Sequence, residues 1–148
     1  MIVLGCDHGG LKIKNAIIDY LKNSKIEYKD FGCYSADSVD YPHYAFAVAN
    51  AVAKQEAQFG ILCCSTGLGM AIAANKVDGV RAVTLADEFS AQKTREHNNA
   101  NVLCLGGKIV DDAKAVKLAS IFLNTQFEGG RHERRVDMIS QIEEGKAV

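Results

Sequence analysis

Four clusters of side chains in this sequence are suited to chemistry. The first is Gly5-Cys6-Asp7-His8-Gly9-Gly10. A carboxylate beside an imidazole can move protons near neutral pH. The same pair also serves elsewhere as a plain helix cap next to a surface histidine. The second is Cys63-Cys64-Ser65-Thr66-Gly67-Leu68-Gly69-Met70. Neighbours on a strand face opposite ways, so one cysteine of the pair points into the core. Cys64, nearer the tip, is the candidate to meet a ligand, and Cys63 reads as a small buried hydrophobe. A glycine-bearing turn that runs into a helix exposes several backbone N–H groups, which together suit an anion. The third is Arg95-Glu96-His97-Asn98-Asn99-Ala100-Asn101. An imidazole titrating near pH ~6.5 suits proton transfer, and Asn99 and Asn101 suit turns. The fourth is Gly129-Gly130-Arg131-His132-Glu133-Arg134-Arg135. On a helix Arg131 and Arg135 stand one turn apart and can fork onto a phosphate, whereas a charge run is more often a solvated face. The two glycines before it suggest a backbone shaped for a close approach.

Three familiar phosphate motifs do not fit. A Cys-x5-Arg phosphatase loop fails because Gly69 and Met70 occupy the arginine positions. A P-loop needs Gly-Lys-Ser/Thr, which is missing. Gly67-Leu68-Gly69 begins a dinucleotide pattern, but Ile72 stands where the third small residue belongs.

Elements to position these clusters follow from periodicity. Candidate strands are Ile2–Cys6, Glu27–Phe31, Phe59–Cys64, Val80–Leu85 and Asn101–Leu105. Three are near-continuous apolar runs, as in strands covered on both faces. Helical stripes run through Ile13, Ala16, Ile17, Tyr20 and Leu21, through Ala45, Val48, Ala49 and Val52, and through Ala115, Leu118, Ala119, Phe122 and Leu123. Asp87 and Asp111 are expected N-caps for the helices after the fourth and fifth strands. Val136, Ile139 and Ile142 mark a last helix, whose short stripe suits packing on a second subunit or on its own sheet. The alternation predicts a three-layer α/β fold, a doubly wound five-stranded parallel sheet. Such folds bind ligands beyond the carboxyl ends of their strands. The loops to inspect are therefore Asp7–Gly10, Gly32–Tyr41, Ser65–Gly69, Ala86–Asp87 and Gly106–Lys108.

At 148 residues one domain spanning 1–148 is expected, with ordinary globular composition (48% hydrophobic, 24% charged). A net charge of −1 supplies no field to draw nucleic acid or a membrane surface, so any anion must be held locally. The five cysteines are odd in number and contain no CxxC pair, which argues against a disulfide framework and for a reducing cytoplasm. Neither a signal peptide nor a membrane span is expected.

Taken in order, these segments resemble the B-type ribose-5-phosphate isomerases and the related galactose-6-phosphate isomerase subunits. The resemblance rests on Gly5-Cys6-Asp7-His8, Asp40-Tyr41-Pro42-His43-Tyr44-Ala45, Gly60 to Met70, Ala73-Ala74-Asn75-Lys76, Gly79-Val80-Arg81-Ala82, His97 to Leu103 and Gly130-Arg131-His132. It implies a Rossmann-like sheet and a homodimer, sometimes further paired, with the active site at the interface. It implies an aldose–ketose isomerase of the pentose phosphate pathway acting on a phosphorylated sugar, with neither cofactor nor metal. Cys64 matches the base, and Ser65, Thr66, Gly67 and Gly69 match the loop around the enediolate. His97 matches the ring-opening histidine, reaching in from the neighbouring subunit. Asp7, Tyr41 and Asn98 match residues around the sugar, and His8, Arg131 and Arg135 match the phosphate grip. Two positions depart from the pattern: Ser65 stands where glycine is frequent, and Lys108 where arginine is frequent. Some relatives use a glutamate in the following helix as base, but Met70-Ala71-Ile72-Ala73-Ala74 offers no carboxylate.

The residue types suit that reaction. Moving a carbonyl between adjacent carbons requires a base for a carbon-bound proton and donors for the resulting oxyanion. A free thiol, with pKa ~8.5, needs nearby N–H donors to work as thiolate. His97 or Asp7 can open the sugar ring. Ribose 5-phosphate is the expected substrate, with allose 6-phosphate or galactose 6-phosphate as alternatives. A non-catalytic nucleotide- or phosphate-binding module, or a silent subunit of a hetero-oligomeric isomerase, are the rival readings.

Overall fold

The computed structural model describes residues 1–148. Eleven elements follow one another: β1 (Ile2–Cys6), α1 (Leu11–Asn23), β2 (Tyr28–Asp30), α2 (Tyr41–Ala53), β3 (Phe59–Cys64), α3 (Leu68–Ala74), β4 (Ala82–Thr84), α4 (Glu88–Asn98), β5 (Val102–Gly106), α5 (Asp112–Asn124) and α6 (Arg131–Glu143). The strands form one sheet in the order β2-β1-β3-β5-β4. Every pairing is parallel.

Side-chain alternation splits the core into two layers. One face carries Leu4, Cys6, Ile61, Cys63, Leu103 and Leu105 against apolar residues of α1 and α5. The other carries Val3, Leu62, Cys64, Val102 and Cys104 against α2 and α3. The expected three-layer α/β architecture is therefore present, and Cys63 and Cys64 lie in different layers.

The predicted helical stripes point inward: Ile13, Ile17 and Leu21, then Ala45, Val48, Ala49 and Val52, then Ala115, Leu118, Ala119 and Phe122 are buried. Asp87 and Asp111 cap as expected, accepting the N–H groups of Ser90 at 2.7 Å and Lys114 at 2.8 Å. β2 and β4 are shorter than the expected Glu27–Phe31 and Val80–Leu85, and β5 starts one residue later. Lys14 is a surprise, fully buried within α1. Its ammonium donates to both carboxylate oxygens of Asp30, at 2.8 and 2.9 Å, and to the Cys33 carbonyl at 2.7 Å. No helix is long and apolar enough to cross a membrane.

Candidate active site

The sheet reverses its winding between β1 and β3, and the loops after these strands meet at their carboxyl ends. The pairing of Cys6 with Cys63 and of Cys64 with Gly106 puts the three strand tips level. The Asp7 N–H donates to the Cys63 carbonyl at 3.1 Å, and the Gly107 N–H to the Cys64 carbonyl at 2.7 Å. Asp7 is buried, and its carboxylate accepts the Gly9 N–H at 2.9 Å. His8 is exposed; its Nδ1 accepts the Val39 N–H at 3.3 Å, tying the first loop to the segment that precedes Tyr41.

The Cys64 thiol is buried, and its sulfur accepts the Gly67 N–H at 3.0 Å. Gly67 adopts φ 80°, a left-handed turn that glycine enters without penalty. That turn leads the chain into α3, while the Gly67 carbonyl accepts the Thr84 hydroxyl at 2.8 Å. The Thr66 hydroxyl accepts the Leu68 N–H at 3.3 Å. Ser65 fits because residue 9 is glycine: a Cβ there would collide with its Oγ. The Tyr41 ring lies over Gly69, with Cζ only 2.7 Å from where a Cβ at that position would sit. Asp7, Tyr41, Cys64, Ser65, Thr66, Gly67 and Gly69 are thus drawn to one end of the sheet. Two open hollows flank them. One of ≈ 340 Å³ is bordered by Gly9, Lys12 and Lys108, the other of ≈ 450 Å³ by Thr66, Thr84 and Asp87.

The remaining candidates lie elsewhere. α4 runs from the carboxyl end of β4 back to the amino end of β5, so its last turn, with His97 and Asn98, sits at the opposite end of the sheet. There Arg81, just before β4, holds the Asn98 and Asn99 carbonyls. The first turn of α6 joins this second group. The His132 ring stacks on that of His97, with centroids 4.2 Å apart and planes 9° from parallel. Burial, aided by the His97, Arg131 and Arg135 charges, holds the His132 imidazole below the ordinary histidine range. Arg131 and Arg135 are exposed on α6. Gly129 and Gly130 have positive φ, but nothing in the chain comes within 4 Å of a Cβ at either. They supply a turn rather than the close approach expected of them, at least within this chain. Within the chain no hydrogen bond joins the Cys64 group to the His97 group.

The chain as a whole has known counterparts. Residues 2–139 match the model of a family described as Ribose/Galactose Isomerase. The chain belongs to this ribose/galactose isomerase family. A relative from Escherichia coli, ribose-5-phosphate isomerase B, is 46% identical over 143 residues, covering 97% of this chain and 96% of that one. The solved structure of ribose-5-phosphate isomerase B from Clostridium thermocellum superposes with a TM-score of 0.95 at 44% identity, over 97% of each chain. That from Mycoplasma genitalium, with bound ribulose-5-phosphate, gives a TM-score of 0.93 at 43% identity, over 97% of this chain and 95% of that one. Membership makes this chain an aldose–ketose isomerase.

Sequence reasoning about this isomerase assigned nothing to Glu128 and no role to His132, although His132 was visible in the Gly130-Arg131-His132 motif. Arg95, named in the third cluster without a role, is buried against the rings of Phe59 and Phe122 and donates to the Ala100 carbonyl. Phe59 and Phe122 are remote in sequence from Arg95, as His97 is from Glu128 and His132, so no local pattern marks these contacts.

Proposed function

We propose that the chain interconverts ribose 5-phosphate and ribulose 5-phosphate through a cis-enediolate, with Cys64 as the base. The observation that carries the substrate is the near full-length match to the Mycoplasma genitalium enzyme, whose structure holds ribulose-5-phosphate. His97, helped by Asp7, moves a proton from the anomeric hydroxyl to the ring oxygen and so frees the aldehyde. The Cys64 thiolate removes the C2 proton, and the electron pair forms the C1–C2 double bond. The thiol returns that proton to C1, and a proton passes from the C2 oxygen to the C1 oxygen. Amides of Ser65–Gly69 and the Thr66 hydroxyl stabilise the enediolate charge, a contribution worth ~3 kcal/mol per donor. Tyr41 and Asn98 contact the sugar; His8, Arg131 and Arg135 take the phosphate, whose binding energy orients the reacting carbons.

A complete site needs two subunits. The Cys64 and His97 groups lie at opposite ends of the sheet, so a homodimer in which each end faces the other chain's opposite end unites them. Exposed Leu68, Ile72, Phe89, Ile139 and Ile142 offer apolar surface for that contact. We read residues 1–148 as one catalytic domain working in a reducing cytoplasm, where its five free thiols persist.

The test is turnover of a panel of aldose phosphates by the purified chain. Fastest turnover of ribose 5-phosphate is expected. Preference for allose 6-phosphate or galactose 6-phosphate would replace the pentose by a hexose and point to Ser65 as the residue reshaping the pocket.

A further inference from the structure

We propose that His97, Glu128 and His132 form a binding site for one divalent transition-metal cation of the zinc class. Each offers a ligand atom, and the three atoms lie within 4.8 Å of one another. They come from three places: the last turn of α4, the segment before α6, and the first turn of α6. The Glu128 N–H donates to the Glu96 carbonyl at 3.1 Å, which fastens this segment beside His97.

The second observation is His132 itself. The residue is 7% exposed, and its Nε2 is buried without a hydrogen bond. A Glu128 oxygen lies 3.3 Å away, outside hydrogen-bonding angles. Buried polar atoms without partners are rare and call for an occupant. Zinc holds nitrogen and oxygen at ~2.0–2.2 Å in a tetrahedron, which sets ligand atoms ~3.4 Å apart. The Glu128–His132 pair already has that spacing.

His97 must adjust. Its ring is stacked almost parallel to that of His132, whereas a metal lies in the plane of each imidazole it binds. His97 is only half-buried, so it is the ring free to turn. Two imidazoles and one carboxylate select zinc, cobalt, nickel or copper over magnesium and calcium, and leave a fourth position for water.

The consequence for turnover rests on the role given above to His97. An imidazole whose lone pair is bound to metal cannot pass a proton to the sugar, so occupation inhibits.

The experiment titrates the chelator-treated full chain with zinc by calorimetry, and with cobalt by visible absorption. One saturable site per chain and a tetrahedral cobalt spectrum are expected. Glu128→Gln and His132→Gln should each weaken binding by ~10-fold or more. Absence of saturable binding, or unchanged affinity in both variants, overturns the site. These readouts need no turnover, so they stand even if the substrate is not ribose 5-phosphate. Zinc that binds as described without slowing the enzyme upholds the site and removes His97 from ring opening.

Discussion

Cys64 differs from the other cysteines in what faces its sulfur. Burial raises the Cys63 and Cys104 thiols well above their ordinary range and pushes Cys6 up to about 12. Those three are held as neutral core groups, whereas Cys64 receives an amide donor at 3.0 Å. Replacing Cys64 by alanine should lower kcat by ~10²–10⁴-fold while calorimetry still detects sugar binding. Retained turnover would assign the base elsewhere. The buried thiols also set an alkaline limit. Their folded pKa values lie above the ordinary thiol range, so their contribution is intact below it. Above it the unfolded chain ionises first, and stability falls by about 1.4 kcal/mol per thiol per pH unit. Urea midpoints measured across this range should drop with rising pH, and less steeply in Cys104→Ala.

At the scale of elements, the long helices and inner strands were legible because burial on a face imposes a period. Both aspartate caps were legible because a cap is a local hydrogen bond. β2 and β4 were over-read for one reason: they are the two edge strands. Each pairs on one side only, so its length is decided by the neighbour's ladder rather than by its own residue pattern. Lys14 was illegible because a lysine inside an apolar stripe reads as a solvent-facing interruption. Here α1 carries it beneath β2, where Asp30 neutralises it. Asp30→Asn leaves that buried ammonium uncompensated and should cost ~3–5 kcal/mol. Chemical denaturation would register the loss; an unchanged midpoint would mean that water reaches the lysine.

On the scale of the whole molecule, the proposed base Cys64 and the proposed acid His97 lie at opposite ends of the sheet. If paired subunits reunite them, each site takes Cys64 from one chain and His97 from the other. Homodimers of Cys64→Ala and of His97→Asn should each be nearly inactive. Mixed dimers formed by refolding the two together carry one intact site, and an equal mixture should recover roughly a quarter of normal activity. No recovery would confine the reaction to a single chain. The sequence by itself determined the layered architecture, the caps, the strand-tip loops and the family, because these follow from local periodicity and from motifs along the chain. Only the tertiary structure decided that the amide of Gly67 meets the sulfur of Cys64, that Ser65 fits against Gly9, and that His97, Glu128 and His132 converge far from that thiol. Those arrangements depend on how helices return across a twisted sheet, and hydrophobic patterning says which face is buried without saying what lies opposite it.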